Sequence, residues 1–357
     1  MVVILGRKNS VRKCKKKKKM GIGKKIGIFF VSFVITEVIG IVFLLYGPLP
    51  KFRNWLVTTA MTTMNHQYLA TMFYSDSRIQ EILAMNQVIE PKENTNLSKI
   101  NTDKITSQVY QDEYEREILE HKEGEDYKMI EVSGKGYSGY LVAIYDPSRV
   151  RVLTSKNLGY DGEYLVSMSK RENALVAING GGFLDADGKG TGALVEGIVI
   201  KSGKILNRNR YTRAGGLIGF TKDNKLYLGR VSSADEAINM GIRDAVEFGP
   251  FLIVNGEASK VVGNGGYGLH PRTVIGQRKD GVVLFLVIDG RRINCIGADM
   301  DDLIEIMQRY GAYNAANLDG GNSSALVINH KLINHPINWD EREETRPIAT
   351  GFMLTSS

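Results

Sequence analysis

Four short clusters hold most of the side chains able to do chemistry: Asn179-Gly180-Gly181-Gly182-Phe183, His270-Pro271-Arg272-Thr273, Asp289-Gly290-Arg291 and Leu318-Asp319-Gly320-Gly321-Asn322-Ser323-Ser324. Each follows or flanks an apolar run, so each places polar groups at a strand end, where they are well placed to converge. Glycines at such ends let the backbone approach a ligand and expose amide donors, which is how loops cradle phosphate oxygens. Any one NGGG or DGG reads simply as a tight turn. Four of them beside strands that would otherwise be core are harder to explain that way, because glycine loosens a fold where it is not needed.

The individual residues keep plainer readings open. Asp289 in VIDGR can close a turn through its own side chain. Arg272 can pair structurally with one of the aspartates. His270, ahead of a proline, reads first as a loop residue, although a pKa near neutrality would suit it to proton transfer. The chain has two cysteines. Cys295 lacks any suggestive Cys/His surroundings and reads as a passive thiol, and no zinc spacing occurs. No cofactor is expected. Asp185, Asp187, Asp299, Asp301 and Asp302 are clustered acids that can bind a structural calcium through oxygen, but the 185–189 spacing is too short for a full EF-hand loop.

The elements that must position these groups are short and β-rich. LVAIYD, RVRVLT, ALVAIN, LVEGIVI, GLIGFT, KLYLGR, FLIVN, TVIGQR, VVLFLVID, SALVIN and ATGFML all read as strands. Several are joined by hairpin-like turns: KSGK at 201–204, TKDNK at 221–225, RKDG at 278–281 and NHK at 329–331. Two helices interrupt them, one from the capping box that begins at Ser233, the other from about Asp299 to Tyr310 and ended by Gly311. Hairpins with segregated helices give an α+β fold of mixed or antiparallel sheets, not a Rossmann arrangement.

Upstream the texture changes. Of the formal net charge of +7, much of the excess sits in the first 25 residues, including the run from Lys15 to Lys19. The remainder is close to neutral, so nucleic acid drops as a partner. The stretch from Ile26 to Tyr46 is largely apolar, with Glu37 its one charge, and long enough to span a membrane. Basic residues before it put the N-terminus in the cytoplasm and all that follows Tyr46 outside. The run exceeds the apolar core of a cleaved signal peptide, and no A-x-A-like site follows it, so an uncleaved anchor is expected. Cys14 and Cys295 then lie on opposite sides and cannot pair. Residues 51–90 read as helical, either a stalk continuing from the membrane or a helix packing on the next domain, with a partner-binding or substrate-threading role for Asn65 and His66 as the alternative, and 91–128 read as a charged linker of some helical character. The expected organisation is a basic tail at 1–25, an anchor at 26–46, a helical stalk and linker at 47–129 and a catalytic domain at 130–357.

In their order and separation, AINGGGF, HPRTVIGQ, LVIDGR and NLDGGNSSALV resemble the phosphodiester glycosidase family, of NAGPA type, over roughly Ile130 to Leu354. Asn322 departs from the family, which often shows a third glycine there. The resemblance implies hydrolysis of the bond between a sugar anomeric carbon and an esterified phosphate. Arg272 would then stabilise the departing phosphate through its planar fork of donors. Asp319 is the first choice for the carboxylate at the anomeric carbon, with Asp289 and Glu196 next. Asn179 and Ser323 would orient sugar hydroxyls or phosphate oxygens, and the amides of Gly180, Gly181, Gly320 and Gly321 would be anion donors. Arg291 and Arg346 are further phosphate-side candidates. The expected substrate is a phosphate-linked glycan of a cell surface or exopolysaccharide. A non-catalytic glycan-binding module in exopolysaccharide assembly and a glycosyl-phosphate transferase are the rival readings.

Overall fold

The computed structural model describes residues 21–63, 66–102, 110–184, 191–208, 215–337 and 345–356. They form two compact units, Met1–Arg53 and Asn54–Ser357. The first contains the helix Ile22–Tyr46, 25 residues whose apolar core has a mean hydropathy of 2.7. At 1.5 Å per residue this helix is about 37 Å long, enough to cross a hydrocarbon layer of about 30 Å. Length and composition suit a membrane span or a signal sequence equally.

The second unit is α+β, and every strand pairing among its described residues is antiparallel. A seven-stranded sheet runs in the order Glu257–Ala258, Phe251–Val254, Ala312–Asn317, Arg272–Arg278, Val283–Ile288, Tyr137–Ile144, Tyr127–Gly134. A five-stranded sheet runs Lys331–Leu332, Leu326–Ile328, Ala174–Asn179, Thr350–Thr355, Val150–Thr154. A third, also of five strands, runs Leu226–Gly229, Gly216–Thr221, Ile242–Phe248, Val199–Lys201, Lys204–Asn207.

The unbroken apolar run VLFLVI is explained by burial on both faces of its sheet. Val283, Phe285 and Val287 point into a core shared with Val176, Ile178, Phe352 and Leu354 of the second sheet and Ile218, Phe220 and Val246 of the third. The alternate residues, Leu284, Leu286 and Ile288, face a separate core closed by Leu303, Ile306 and Met307 of the helix Met300–Arg309. That helix starts at Asp299, whose side chain accepts from Asp302 N–H while Asp302 reaches back to Asp299 N–H. The other expected helix, Ala234–Asn239, is capped by Ser233. The hairpin turns behave as their residues require: Ser202 and Gly203, and Asn329 and His330, take the positive φ that two-residue turns demand.

Some elements escaped sequence patterning. Ala312–Asn317 (AYNAAN) has little β propensity, yet all six residues are buried, with Asn314 accepting from Asn255 N–H at 2.9 Å and Asn317 donating to Gly249 O at 2.9 Å. Ile242–Phe248 and the helix Leu165–Arg171 were likewise not anticipated. The charged stretch read as a linker packs on the domain through a helix, Glu113–Leu119, with Ile118 fully buried, Glu115 paired with Arg278 at 2.9 Å and Glu117 accepting from Tyr310 at 3.0 Å. Residues 51–90 form three short helices, Pro50–Met61, Tyr68–Thr71 and Asp76–Ala84, instead of one stalk, then a strand, Gln87–Ile89, that pairs with Lys260–Val262. Asn65, Asp185, Asp187, Cys14 and the Lys15–Lys19 run lie outside the described residues.

Candidate active site

Antiparallel pairing gathers the four clusters at one end of the molecule. Arg272 opens its strand opposite Ile288, the last residue before Asp289, and Val274 pairs with Asn317, just before Leu318 and Asp319. In the second sheet Asn179 ends its strand opposite Gly351. The two sheets meet there through Asn179, whose Nδ2 donates to Asp319 O at 2.6 Å while its Oδ1 accepts from Thr273 Oγ1 at 2.6 Å and Ala325 N at 3.1 Å.

The glycine amides do not face outward as anion donors. Gly180 N–H donates to Thr350 O at 2.9 Å and Gly181 N–H to Thr350 Oγ1 at 3.0 Å. Gly320 N–H donates to Asp319 Oδ1 at 2.9 Å and Gly321 N–H to Pro271 O at 2.9 Å. Buried backbone donors must be paired, and here the neighbouring loops supply the acceptors. The glycines allow that close approach: a Cβ on Gly180 would lie 2.9 Å from Thr350 Oγ1, and one on Gly320 would lie 2.9 Å from Pro271 O.

Asp319 is half-buried at the mouth of this loop set. Its own N–H donates to Gly180 O at 3.0 Å, so its backbone is fixed from both directions by the NGGG loop. Asp289 is nearly fully buried, and its Oδ1 accepts from Asn334 Nδ2 at 3.0 Å and His335 N at 2.9 Å. Asn334 also donates to Ser324 O at 3.1 Å, so Asp289 anchors the loop that follows Leu326–Ile328 and its hairpin partner. Glu196 lies against the NGGG loop, its N–H donating to Gly182 O at 3.1 Å, and a Cβ on Gly182 would be 3.0 Å from Glu196 Oε2. Ser323 is buried within the short turn Gly321–Ser323, its N–H donating to Gly320 O at 3.2 Å.

The cations form the second half of the site. Arg272 is buried, and donates through Nε to Ala298 O at 3.2 Å and through Nη2 to Tyr267 O at 2.8 Å and Gly268 O at 2.6 Å. Arg291 donates to Asn322 Oδ1, so the residue that departs from the family's glycine holds an arginine in place. Arg346 stacks on the Phe183 ring at 4.4 Å. Neither Arg272 nor Arg291 forms a salt bridge with any described residue. Burial, then the nearby Arg291 charge, lowers the Arg272 pKa to about 10, against the favourable pull of Tyr267 and Asp299. Desolvation of its guanidinium, and then the charge of Arg346, lower that of Arg291, an effect limited by the exposure of this residue to solvent.

His270 does not titrate near neutrality. Its burial, together with Arg272 and Arg291, pushes its pKa down to about 3, so the ring is neutral at physiological pH and offers no imidazolium proton. Its Nε2 lies 3.5 Å from Thr62 Oγ1. The acids Asp299 and Asp302 are engaged as a helix capping box, and among the described residues no three His, Cys, Asp or Glu side chains gather as a metal-binding group. Thr350 and Asn334, which fix the loops, lie outside the four sequence clusters, and Thr273 lies in one of them without a role assigned from sequence. Their only signal is position, each lying within a few residues of a glycine cluster or a strand end.

A model of the phosphodiester glycosidase family matches residues 172–355. The chain is 33% identical over 187 residues to the SPbeta prophage-derived uncharacterized protein YomE of Bacillus subtilis, which covers 50% of this chain and 28% of that protein. The chain thus spans well under a third of that relative. In fold, it resembles the catalytic domain of zebrafish N-acetylglucosamine-1-phosphodiester alpha-N-acetylglucosaminidase, auto-inhibited by its pro-peptide, with a TM-score of 0.55, 22% identity and coverage of 67% of this chain and 87% of that one. With four glycine-flanked clusters drawn together at the sheet ends and a family match across more than half of its length, this chain belongs to the phosphodiester glycosidase family.

Proposed function

We propose that this protein hydrolyses the glycosidic bond of sugar-1-phosphate diesters in a phosphate-linked glycan, from a domain held outside the cytoplasmic membrane by the helix Ile22–Tyr46. The observation that carries this reading is the arginine set. Arg272 is buried with no carboxylate partner among the described residues, and it faces the same turn as Arg291: a Cβ on Gly320 would lie 3.8 Å from Arg272 Nη1, and one on Gly321 would lie 2.9 Å from Arg291 Nη2. Gathering cations at a cost is explained by an anionic ligand that relieves their repulsion.

In this reading the arginines hold the phosphate. Asp319, on the rim of the same loops, stabilises the oxocarbenium-like anomeric carbon, attacks it or activates water against it. As the bond between the anomeric carbon and oxygen breaks, the electron pair leaves with the phosphate, a stable anion that needs no strong general acid. A neutral His270 is consistent with that. Basic residues ahead of the anchor favour an exported domain.

The test is to incubate the full chain in detergent with sugar-1-phosphate diesters and monoesters and to resolve the products. Free sugar plus a phosphate monoester from the diesters is expected. Release of sugar phosphate, or no turnover of any diester, overturns the reading.

A further inference from the structure

The acceptors that hold Arg272 lie on a weak turn. Tyr267 and Gly268, whose carbonyls take its Nη2, end a stretch in which Gly263, Gly265, Gly266 and Gly268 all have positive φ. Such a glycine-dense turn has many alternative conformations and little of its own to select one. The contacts that select it come from residues far upstream and outside the family match at 172–355. Asn86, buried and anchored by Nδ2 to Ile82 O at 2.7 Å, accepts from Asn264 N–H at 3.0 Å. Thr58 Oγ1 accepts from Asn264 Nδ2 at 2.9 Å, and Asn264 Oδ1 in turn accepts from Gly266 N–H at 3.0 Å. The glycines are also in close contact with this upstream chain: a Cβ on Gly266 would lie 2.3 Å from Asn86 O, and one on Gly268 would lie 2.6 Å from Thr59 Oγ1. The neighbouring strand pair, Gln87–Ile89 with Lys260–Val262, clamps the entry to the turn.

We infer that Thr58 and Asn86 are positioning residues for the phosphate-binding arginine, so that the upstream segment is a working part of the site and not merely a stalk. They act through Asn264 and the carbonyls of Tyr267 and Gly268. This rests on the proposed role of Arg272 at the phosphate. It follows that a fragment beginning at residue 130 lacks the clamp on Arg272 even if its sheets form.

The experiment compares the full chain with Asn86→Ala and Thr58→Val, the second replacing the hydroxyl by a methyl of similar volume. Two readouts are taken: amide hydrogen exchange across 263–272, and turnover of a sugar-1-phosphate diester against the same sugar carrying a neutral aryl leaving group. Losing one hydrogen bond of the clamp should raise exchange in that segment about tenfold and lower kcat/KM on the diester by about tenfold. The aryl substrate should change by less than about twofold. Unchanged exchange in both variants, or equal losses on the two substrates, overturns the inference. Should the parent turn over no diester at all, the functional reading fails, and exchange alone then decides whether the clamp exists.

Discussion

Asn179 and Asp319 grip each other across two sheets: the Asn179 amide donates to Asp319 O at 2.6 Å, and Asp319 N–H donates to Gly180 O at 3.0 Å. Asn179→Ala would also orphan the Thr273 hydroxyl and the Ala325 N–H, both buried. Leaving such groups unpaired costs about 1–3 kcal/mol each, so a loss of stability of at least about 2 kcal/mol is expected by urea unfolding. A variant with parental stability would instead release Asn179 for a role in substrate binding.

Asp319→Asn should behave in the opposite way. The side chain accepts from Gly320 N–H at 2.9 Å, and an Asn oxygen can take over that role. Melting temperature should hold, while turnover falls at least about a hundredfold, the lower range for a positioned acid, base or nucleophile. A variant that melts normally and turns over near the parental rate moves the assignment to Asp289 or Glu196.

Asp289 anchors a loop, and its substitution should be read through stability first. Asp289→Ala removes the acceptor for Asn334 Nδ2 and His335 N–H, so an unfolding midpoint lowered by the equivalent of about 1–3 kcal/mol is expected. If Asp289→Asn loses turnover with no loss of stability, the carboxylate acts on substrate as well.

For the leaving group, Arg291→Ala is a cleaner probe than Arg272→Ala, because Arg272 also satisfies three carbonyls while Arg291 is exposed and bonded to Asn322. Removing Arg291 should reduce kcat/KM on phosphodiesters by about tenfold or more and hardly affect a neutral aryl leaving group. Asn322→Gly, which frees Arg291 without removing it, should show a smaller loss of the same sign. Equal effects on both substrates would place Arg291 at the sugar.

The half-buried imidazole of His270, beside two arginines, makes stability depend on pH. Its pKa is near 6.5 in the unfolded chain and pushed down to about 3 when folded. Above 6.5 both states are neutral and the contribution is fully present. As pH falls from 6.5 toward 3 only the unfolded state takes up the proton, and stability is lost. By pH 5 the loss is at most about 2 kcal/mol. Thermal unfolding of the parent should therefore weaken across this window, and His270→Gln should flatten the curve. Parallel curves would mean that the ring is hydrated and titrates normally.

What sequence conveyed, and what it hid, divide along physical lines. VLFLVI declares a strand because both of its faces are buried, and the glycine clusters mark strand ends because close packing there excludes a Cβ. Ala312–Asn317 stays hidden because its asparagines serve as buried hydrogen-bonding partners, a role that periodicity does not register. The direction in which the amides of Gly180 and Gly321 point depends on Thr350 and Pro271, residues brought in from other strands, so no local pattern reveals it. His270 reads first as a loop residue able to titrate near neutrality, and only with Arg272 and Arg291 beside it and Thr62 against it is that second role set aside.

The strand Thr350–Thr355 lies inside its sheet, between Ala174–Asn179 and Val150–Thr154, and Thr350 is what receives the amides of Gly180 and Gly181. During synthesis both neighbours emerge long before it, and they must wait with a gap between them and an unfastened loop. Contacts so distant along the chain form slowly and late. The loop end that carries Asn179 and Asp319 can therefore be fastened only after Thr350 has been made, 169 residues beyond the Gly181 amide that it receives.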